Sequence, residues 1–280
     1  FFKQKTAYEI STRDWSSDVC SSDLGIFTKD GRIAAPMRDK FVQINRFLEI
    51  VRDAINEDGY LERKNAEPLR IIDFGCGKSY LTFVLYHYLV NILGIRVNMT
   101  GLDLKADVIA KCTDAAKRYG YDSLKFERGD IAEYDANAPA DMVVTLHACD
   151  TATDYALHNA VCRGARMILS VPCCQHELNG QIATDKLKLI TRYGIIKERF
   201  AALMTDAIRA NLLESRGYKA QVLEFVDLSH TPKNLLIRAI KKRPALDNAG
   251  RIALDEAKAL MEEFSLEPTL YSLLYPHSAD

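Results

Sequence analysis

Two short segments concentrate the reactive side chains. "LHACDT" brings His147, Cys149 and Asp150 within four positions, and "VPCCQHE" brings Cys173, Cys174, His176 and Glu177 within five. Imidazoles and carboxylates accept protons, and thiols act as nucleophiles or as ligands for soft metals. A third stretch, "IIDFGCGKSYL", places Gly75 and Gly77 after an apolar run, where the backbone can approach a ligand closely.

These segments need a scaffold that gathers them. "LRIIDF" reads as a short buried strand, followed by a helical pattern over "YLTFVLYHYLVNIL" that Gly94 stops. "RVNMTGLDL" is the next strand and "ADVIAKCTDAAKRYG" the next helix, ended by Gly120. "LKFERGD", "DMVVTLHA" and "RMILSVP" add strands, with the helix "TATDYALHNAVCRG" expected to start at a threonine cap. This alternation predicts a Rossmann-like, doubly wound α/β fold with right-handed crossovers. After Pro172, "ATDKLKLITRYG" and "ALMTDAIRANLLESRG" read as helices. "YKAQVLEFVDL" and "NLLIRAIKK" read as a closing antiparallel hairpin through "SHTPK", forming an antiparallel edge. Apolar residues from Met37 to Ile55 recur at helical spacing after Pro36, which predicts an amphipathic helix capping the domain. A surface helix is expected from Ala253 to Phe264.

The glycine loop is not a phosphate-binding P-loop, because Ile72 occupies the position five before Gly77 where that motif needs glycine. A dinucleotide fingerprint would need glycine at Tyr80, so NAD is disfavoured. What remains is an acidic residue at three successive strand ends. Asp73 precedes the glycine turn. Asp103 ends the second strand, where a carboxylate can accept both hydroxyls of a ribose. Asp130 ends the third and could accept an adenine amine, with Ile131 donating its backbone N–H to the ring. That order fits S-adenosylmethionine better than NAD.

The ordered set "DFGCGKSYL", "GLDLK", "RGDI", "LHACDTATDYAL" and "VPCCQHEL" resembles class I SAM-dependent methyltransferases. More narrowly, it is similar to a bacterial subfamily whose core resembles eukaryotic methyltransferase-like proteins and a tRNA ribose 2′-O-methyltransferase. The resemblance spans roughly Gly25 to Lys242 and implies a sheet of seven strands whose last strand inserts antiparallel. It implies donor binding at Gly75, Gly77, Asp103 and Asp130 and puts His147 beside the methyl group; Asp73, Tyr80 and Ile131 complete the expected donor site. Ser79 departs from the pattern, since many methyltransferases carry a third glycine there. His147, Asp150 and His176 are the expected catalytic residues, with Asp150 or His176 as general base. A noncatalytic methyltransferase-like binding module is the alternative, and a nicotinamide oxidoreductase a weaker one.

No metal is expected, because adjacent cysteines suit a shared tetrahedral site poorly and no CxxC pair appears. Cys173 and Cys174 are read as small buried residues shaping a pocket. Asp206 and Arg209 read as an ordinary helical ion pair outside the site. RNA is the first acceptor the resemblance suggests, and DNA is not predicted. Net charge is -1, so RNA would need local contacts; Lys233, Arg238, Lys241, Lys242 and Arg243 are compatible with a phosphate contact and equally with a solvated face. No apolar run is long enough to span a bilayer. Seven scattered cysteines suit reduced thiols in a cytoplasm.

Residues 3–24 resemble the translation of a synthetic sequencing adapter. The organisation expected is therefore a non-native stretch at 1–24, a capping-helix region at 25–68, the methyltransferase domain at 69–243 and a helical tail at 244–280.

Overall fold

The computed structural model describes residues 34–63, 67–77, 79–134, 138–146, 148–182, 184, 187–224 and 234–276. The adapter-like segment, Lys78, His147 and the "SHTPK" connection lie outside them.

Seven strands form one sheet: β1 (Leu69–Phe74), β2 (Val97–Asp103), β3 (Leu124–Arg128), β4 (Met142–Thr145), β5 (Met167–Ser170), β6 (Tyr218–Glu224) and β7 (Leu235–Lys241). Their order is β3-β2-β1-β4-β5-β7-β6. β1 pairs in parallel with β2 and β4, while β7 runs antiparallel to both β5 and β6. The expected closing hairpin is present and its last strand, β7, inserts antiparallel as expected, between β5 and β6; β6, parallel to β5, forms the edge.

β1, "LRIIDF", sends apolar side chains to both faces of the sheet, with Arg70 exposed near its start. Pleating sends successive side chains to opposite faces, and both faces are covered. Leu69 and Ile71 enter one core with helices α1 (Arg38–Asp58), α2 (Tyr80–His87) and α3 (Ala106–Arg118). Ile72 and Phe74 enter the other with α4 (Thr151–Cys162), α7 (Gly194–Ser215), α8 (Asn248–Phe264) and α9 (Thr269–Leu274). Two shorter helices, α5 (Glu177–Gln181) and α6 (Lys188–Thr191), lie between β5 and α7. Among the described residues, the helix expected over "ATDKLKLITRYG" is the single turn α6.

α1 follows a 3₁₀ turn at Ala35–Met37 and ends at Gly59 in the left-handed region, φ 72°. Its helical spacing buries Ile44, Phe47, Leu48, Val51 and Ile55. Each such side chain stabilises the fold by about 2 kcal/mol. The helix after the glycine loop changes pitch at Tyr88–Ile92, where one π-turn precedes Gly94. Around it Phe83, Tyr86, Tyr121 and Phe126 stack at centroid separations of 4.6 to 6.4 Å.

Two expectations need correcting. The helix from Asn248 is not a mere surface element: it buries Ala253, Leu254, Ala257 and Met261, and α9 adds Leu270 and Leu274 to the same core. The basic residues in and just after β7 are engaged by groups of the fold itself. Arg238 is buried against Glu57 (2.7 Å) and Gln221 (2.8 Å), and Lys242 Nζ donates to the Glu57 carbonyl. Lys241 donates to the Arg216 carbonyl, and Arg243 pairs with Asp247 (3.2 Å). These cations fasten α1, β6 and α8 to β7; Lys233 lies outside the described residues.

Candidate active site

The sheet changes direction of connection between β1 and β4, the place where doubly wound folds open a crevice at the carboxyl edge. The glycine loop leaves β1 there. Gly75 and Gly77 take φ 71° and 53°, a region that favours glycine. The Gly75 and Cys76 N–H groups both donate to Leu102 O, at 2.9 and 3.0 Å, which lays the loop against the end of β2.

Asp103 fixes the rest of the loop. Its Oδ2 accepts the Gly77 N–H (2.9 Å) and its Oδ1 the Lys105 N–H (3.0 Å). A carboxylate oxygen has two lone-pair directions, so each keeps capacity for a ligand hydroxyl. The sequence suggested a ligand acceptor, and the structure adds that the same group anchors the loop.

Asp73 lies beneath the loop, 2% exposed. The Thr82 hydroxyl donates to its Oδ2 (2.5 Å), while Oδ1 has no hydrogen-bond partner. Burial, aided by the nearby Asp103 charge, pushes this carboxyl up to about 7. A buried acceptor left without a donor is costly, and a cationic ligand group would satisfy it. At Ser79 the backbone is again left-handed, φ 58°, without a glycine. Its hydroxyl donates to Gly77 O (3.2 Å) and lies 3.3 Å from Cys112 Sγ, which holds that conformation. Tyr80 begins α2 and is exposed.

At the third strand end the Gly129 N–H donates to Asp103 O (3.2 Å), so the second and third acidic positions emerge side by side. Asp130 is exposed and its Oδ1 accepts the Ala132 N–H (2.9 Å). Ile131 packs its side chain on the second core, and its carbonyl accepts from Asn159 Nδ2 (3.5 Å).

The loops after β4 and β5 meet at Asp150. The Asp150 N–H donates to Cys174 O (3.1 Å), and its Oδ1 accepts the N–H groups of His176 (2.8 Å) and Glu177 (3.1 Å) at the start of α5. Asp150 sits at φ 53°, ψ −125°, an unusual conformation for a residue with a side chain. The threonine cap expected for α4 is absent: Asp150 precedes the helix, and its carboxylate caps the neighbouring helix instead. The His176 imidazole is exposed, and His147 lies outside the described residues.

Beneath Asp150 lies a group that sequence reasoning set aside. Arg209 on α7 grips Asp154 on α4 through two bonds, Nε to Oδ1 (2.9 Å) and Nη2 to Oδ2 (2.7 Å). Its Nη1 reaches Asp206 Oδ1 (3.2 Å) and its Nη2 the Asp150 carbonyl (2.9 Å). Gln175 joins from the β5 loop by donating to Asp206 Oδ2 (2.9 Å). All three charged residues are 2% exposed. Burial pushes the Asp206 carboxyl up to about 6, against the pull of Arg209 and Gln175. This network sets the height of both crevice loops. On its outer side Glu177 Oε1 accepts the Thr269 hydroxyl (2.5 Å) and N–H (3.1 Å), tying in the tail.

The cysteines also depart from expectation. Cys149 is exposed and Cys173 and Cys174 are only half-buried, so they are not buried packing residues. Their three sulfurs lie within 4.8 Å of one another.

Among the described residues no helix is long and apolar enough to cross a membrane. Comparison with known structures finds the citrinin polyketide synthase CMeT domain, at 18% identity and a TM-score of 0.45, covering 78% of this chain and 59% of that one. This chain therefore spans about three-fifths of that relative's length. The SAM-bound magnesium protoporphyrin IX methyltransferase of Synechocystis PCC 6803 matches at 14% identity and a TM-score of 0.45, covering 76% of this chain and 86% of that one. The DszA carbon methyltransferase matches at 13% identity and a TM-score of 0.46, covering 75% and 55%. No curated protein sequence matches the chain. A family model described as a methyltransferase domain matches residues 39–181, from α1 through both crevice loops. With just over half its length matched by that model, the chain belongs to the methyltransferase-domain family.

Proposed function

We propose that the chain transfers a methyl group from S-adenosylmethionine to an oxygen or nitrogen of an RNA. The observation that carries the donor assignment is the Asp103 carboxylate, held at the end of β2 by the Gly77 N–H (2.9 Å) at the sheet's switch point. When bound, the donor supplies an electrophilic methyl group on a sulfonium. Asp103 would receive the ribose hydroxyls and Asp130 the adenine amine, while the unpartnered Asp73 Oδ1 fits the amino group of the methionyl moiety. His176 is assigned as proton acceptor for the incoming nucleophile. Asp150 positions it by taking its backbone N–H.

RNA as acceptor is supported by the surface next to the crevice loops. Arg209 is level with Asp150, so the part of α7 before it stands on the crevice side. Arg199 on that part of α7, Lys188 on α6 and Arg192 between the two helices are exposed, together with Tyr193, whose ring lies 4.6 Å from the Arg192 guanidinium. Basic groups interleaved with an aromatic suit a phosphate backbone and a stacked base. A cytoplasmic location is supported by the thiols: the six described cysteines form no disulfide with one another, which suits a reducing compartment.

Calorimetry on the full chain tests the donor site. Saturable S-adenosylmethionine binding is expected, and its loss in Asp103→Ala. Labelled donor offered with fractionated RNA, protein and metabolites then tests the acceptor. Label is expected in RNA, and His176→Ala should abolish transfer while leaving donor binding intact. Absence of donor binding by the wild type overturns the whole reading, and label confined to protein or metabolites overturns the RNA assignment.

A further inference from the structure

We infer that Cys149, Cys173 and Cys174 form a three-thiolate site for a single zinc ion beside the methyl-transfer crevice. Two strands contribute: Cys149 follows β4, and the Cys173–Cys174 pair follows β5. Among the described residues this is the one place where three or more histidine, cysteine or acidic side chains converge on a common point.

The distances answer the objection that adjacent cysteines cannot share a tetrahedral ion. With zinc–sulfur bonds of about 2.3 Å, tetrahedral geometry separates two sulfurs by about 3.8 Å. Cys173 Sγ and Cys174 Sγ stand 3.8 Å apart. Cys149 Sγ is 2.9 Å from Cys173 Sγ, closer than two thiols rest comfortably and well beyond the roughly 2.05 Å of a disulfide. A small rotation of the exposed Cys149 side chain would open that edge around an ion.

The backbone holding the sulfurs is already fixed. The Asp150 N–H bonds Cys174 O (3.1 Å), the Asp150 carboxylate takes the His176 and Glu177 N–H groups, and Arg209 holds the Asp150 carbonyl. These are the outer contacts that orient ligands before a metal arrives. Binding releases the three thiol protons to solvent and gives three thiolates on one divalent cation. Burial and the neighbouring thiols push Cys173 up to about 12, so without a cation this sulfur stays protonated and unreactive. Thiolate ligands select zinc over magnesium or calcium. Three thiolates would leave a fourth position for water or an entering acceptor.

The test uses the full chain, purified under reductant, stripped with chelator and titrated with Zn²⁺ against a chromophoric competitor. One equivalent is expected to bind. Cys149→Ser, Cys173→Ser and Cys174→Ser should each weaken binding more than tenfold, while Cys162→Ser, on the exposed face of α4, binds as wild type. Co²⁺ in place of zinc should give a sulfur-to-metal charge-transfer band that the three variants lack. Circular dichroism identifies any variant that fails to fold; Cys149, being exposed, is the one expected to tolerate serine. No zinc bound by the reduced wild type, or unchanged binding in a folded Cys149→Ser, overturns the proposal. So does a mass lower by two hydrogens with Cys149 disulfide-linked to Cys173 under these conditions. None of these readouts depends on the methyl donor.

Discussion

Replacing Arg209 by methionine tests whether the buried network sets the crevice loops. The substitution keeps a long apolar stem and removes four hydrogen bonds, two to Asp154, one to Asp206 and one to the Asp150 carbonyl. Two carboxylates at 2% exposure then lose their cation. Breaking one side of a buried ion pair costs about 3–5 kcal/mol. In a chain of this size each kcal/mol lowers the melting temperature by about 2–4 °C, so a fall of about 6–20 °C is expected. Urea unfolding at several pH values is the assay, with the midpoint shifting at constant slope. The pH dependence has a definite sign. Burial already holds the folded Asp206 at about 6 with Arg209 present, above its unfolded value, so its contribution to stability is largest below about 4 and is lost as pH rises through about 6. Without Arg209 the folded value rises further. The difference between variant and wild type should therefore shrink at pH 5 and be fullest at pH 8. A loss below about 1 kcal/mol at pH 8 would refute the assignment of this network as the support of both loops.

Two further outcomes follow from the same reasoning. Affinity for S-adenosylmethionine in the wild type should rise as pH passes through about 7, as the buried Asp73 ionises, and Asp73→Asn should bind weakly with no such rise, measured by calorimetry at pH 6 and 8. Glu177→Ala removes the acceptor of the Thr269 hydroxyl and N–H; it should cost about 1–2 kcal/mol and make the connection before α9 sensitive to limited proteolysis.

Local pattern made most of the sheet legible. Parallel strands covered on both faces read as apolar-rich runs, and "LRIIDF", "DMVVTLHA" and "RMILSVP" announce themselves that way. The acidic strand ends were legible because their position follows from strand length alone. Long-range pairings were not. Asp206 and Arg209 stand three apart on a helix, a spacing usual for a solvated pair, and their burial depends on Asp154, 55 positions from Arg209. The basic run near Lys241 misled in the same way, since Glu57 lies on a helix at the other end of the chain. At Asp150 the sequence shows the carboxylate's chemistry and not the two backbone N–H groups that donate to it.

Slotting β7 between β5 and β6 has a consequence for how the molecule is made. As the polypeptide leaves the ribosome, β5 emerges with one hydrogen-bonding edge bare, and the strand that will cover it follows some sixty residues later, after α7 and β6. Until then that edge is open to another nascent chain. Closure comes only when Arg238 arrives to meet Glu57, so the sheet is sealed late by a contact between early and late parts of the polypeptide. A nonsense product ending before Leu235 would keep the crevice loops and lose the seal, which makes it a candidate for aggregation and proteolytic clearance.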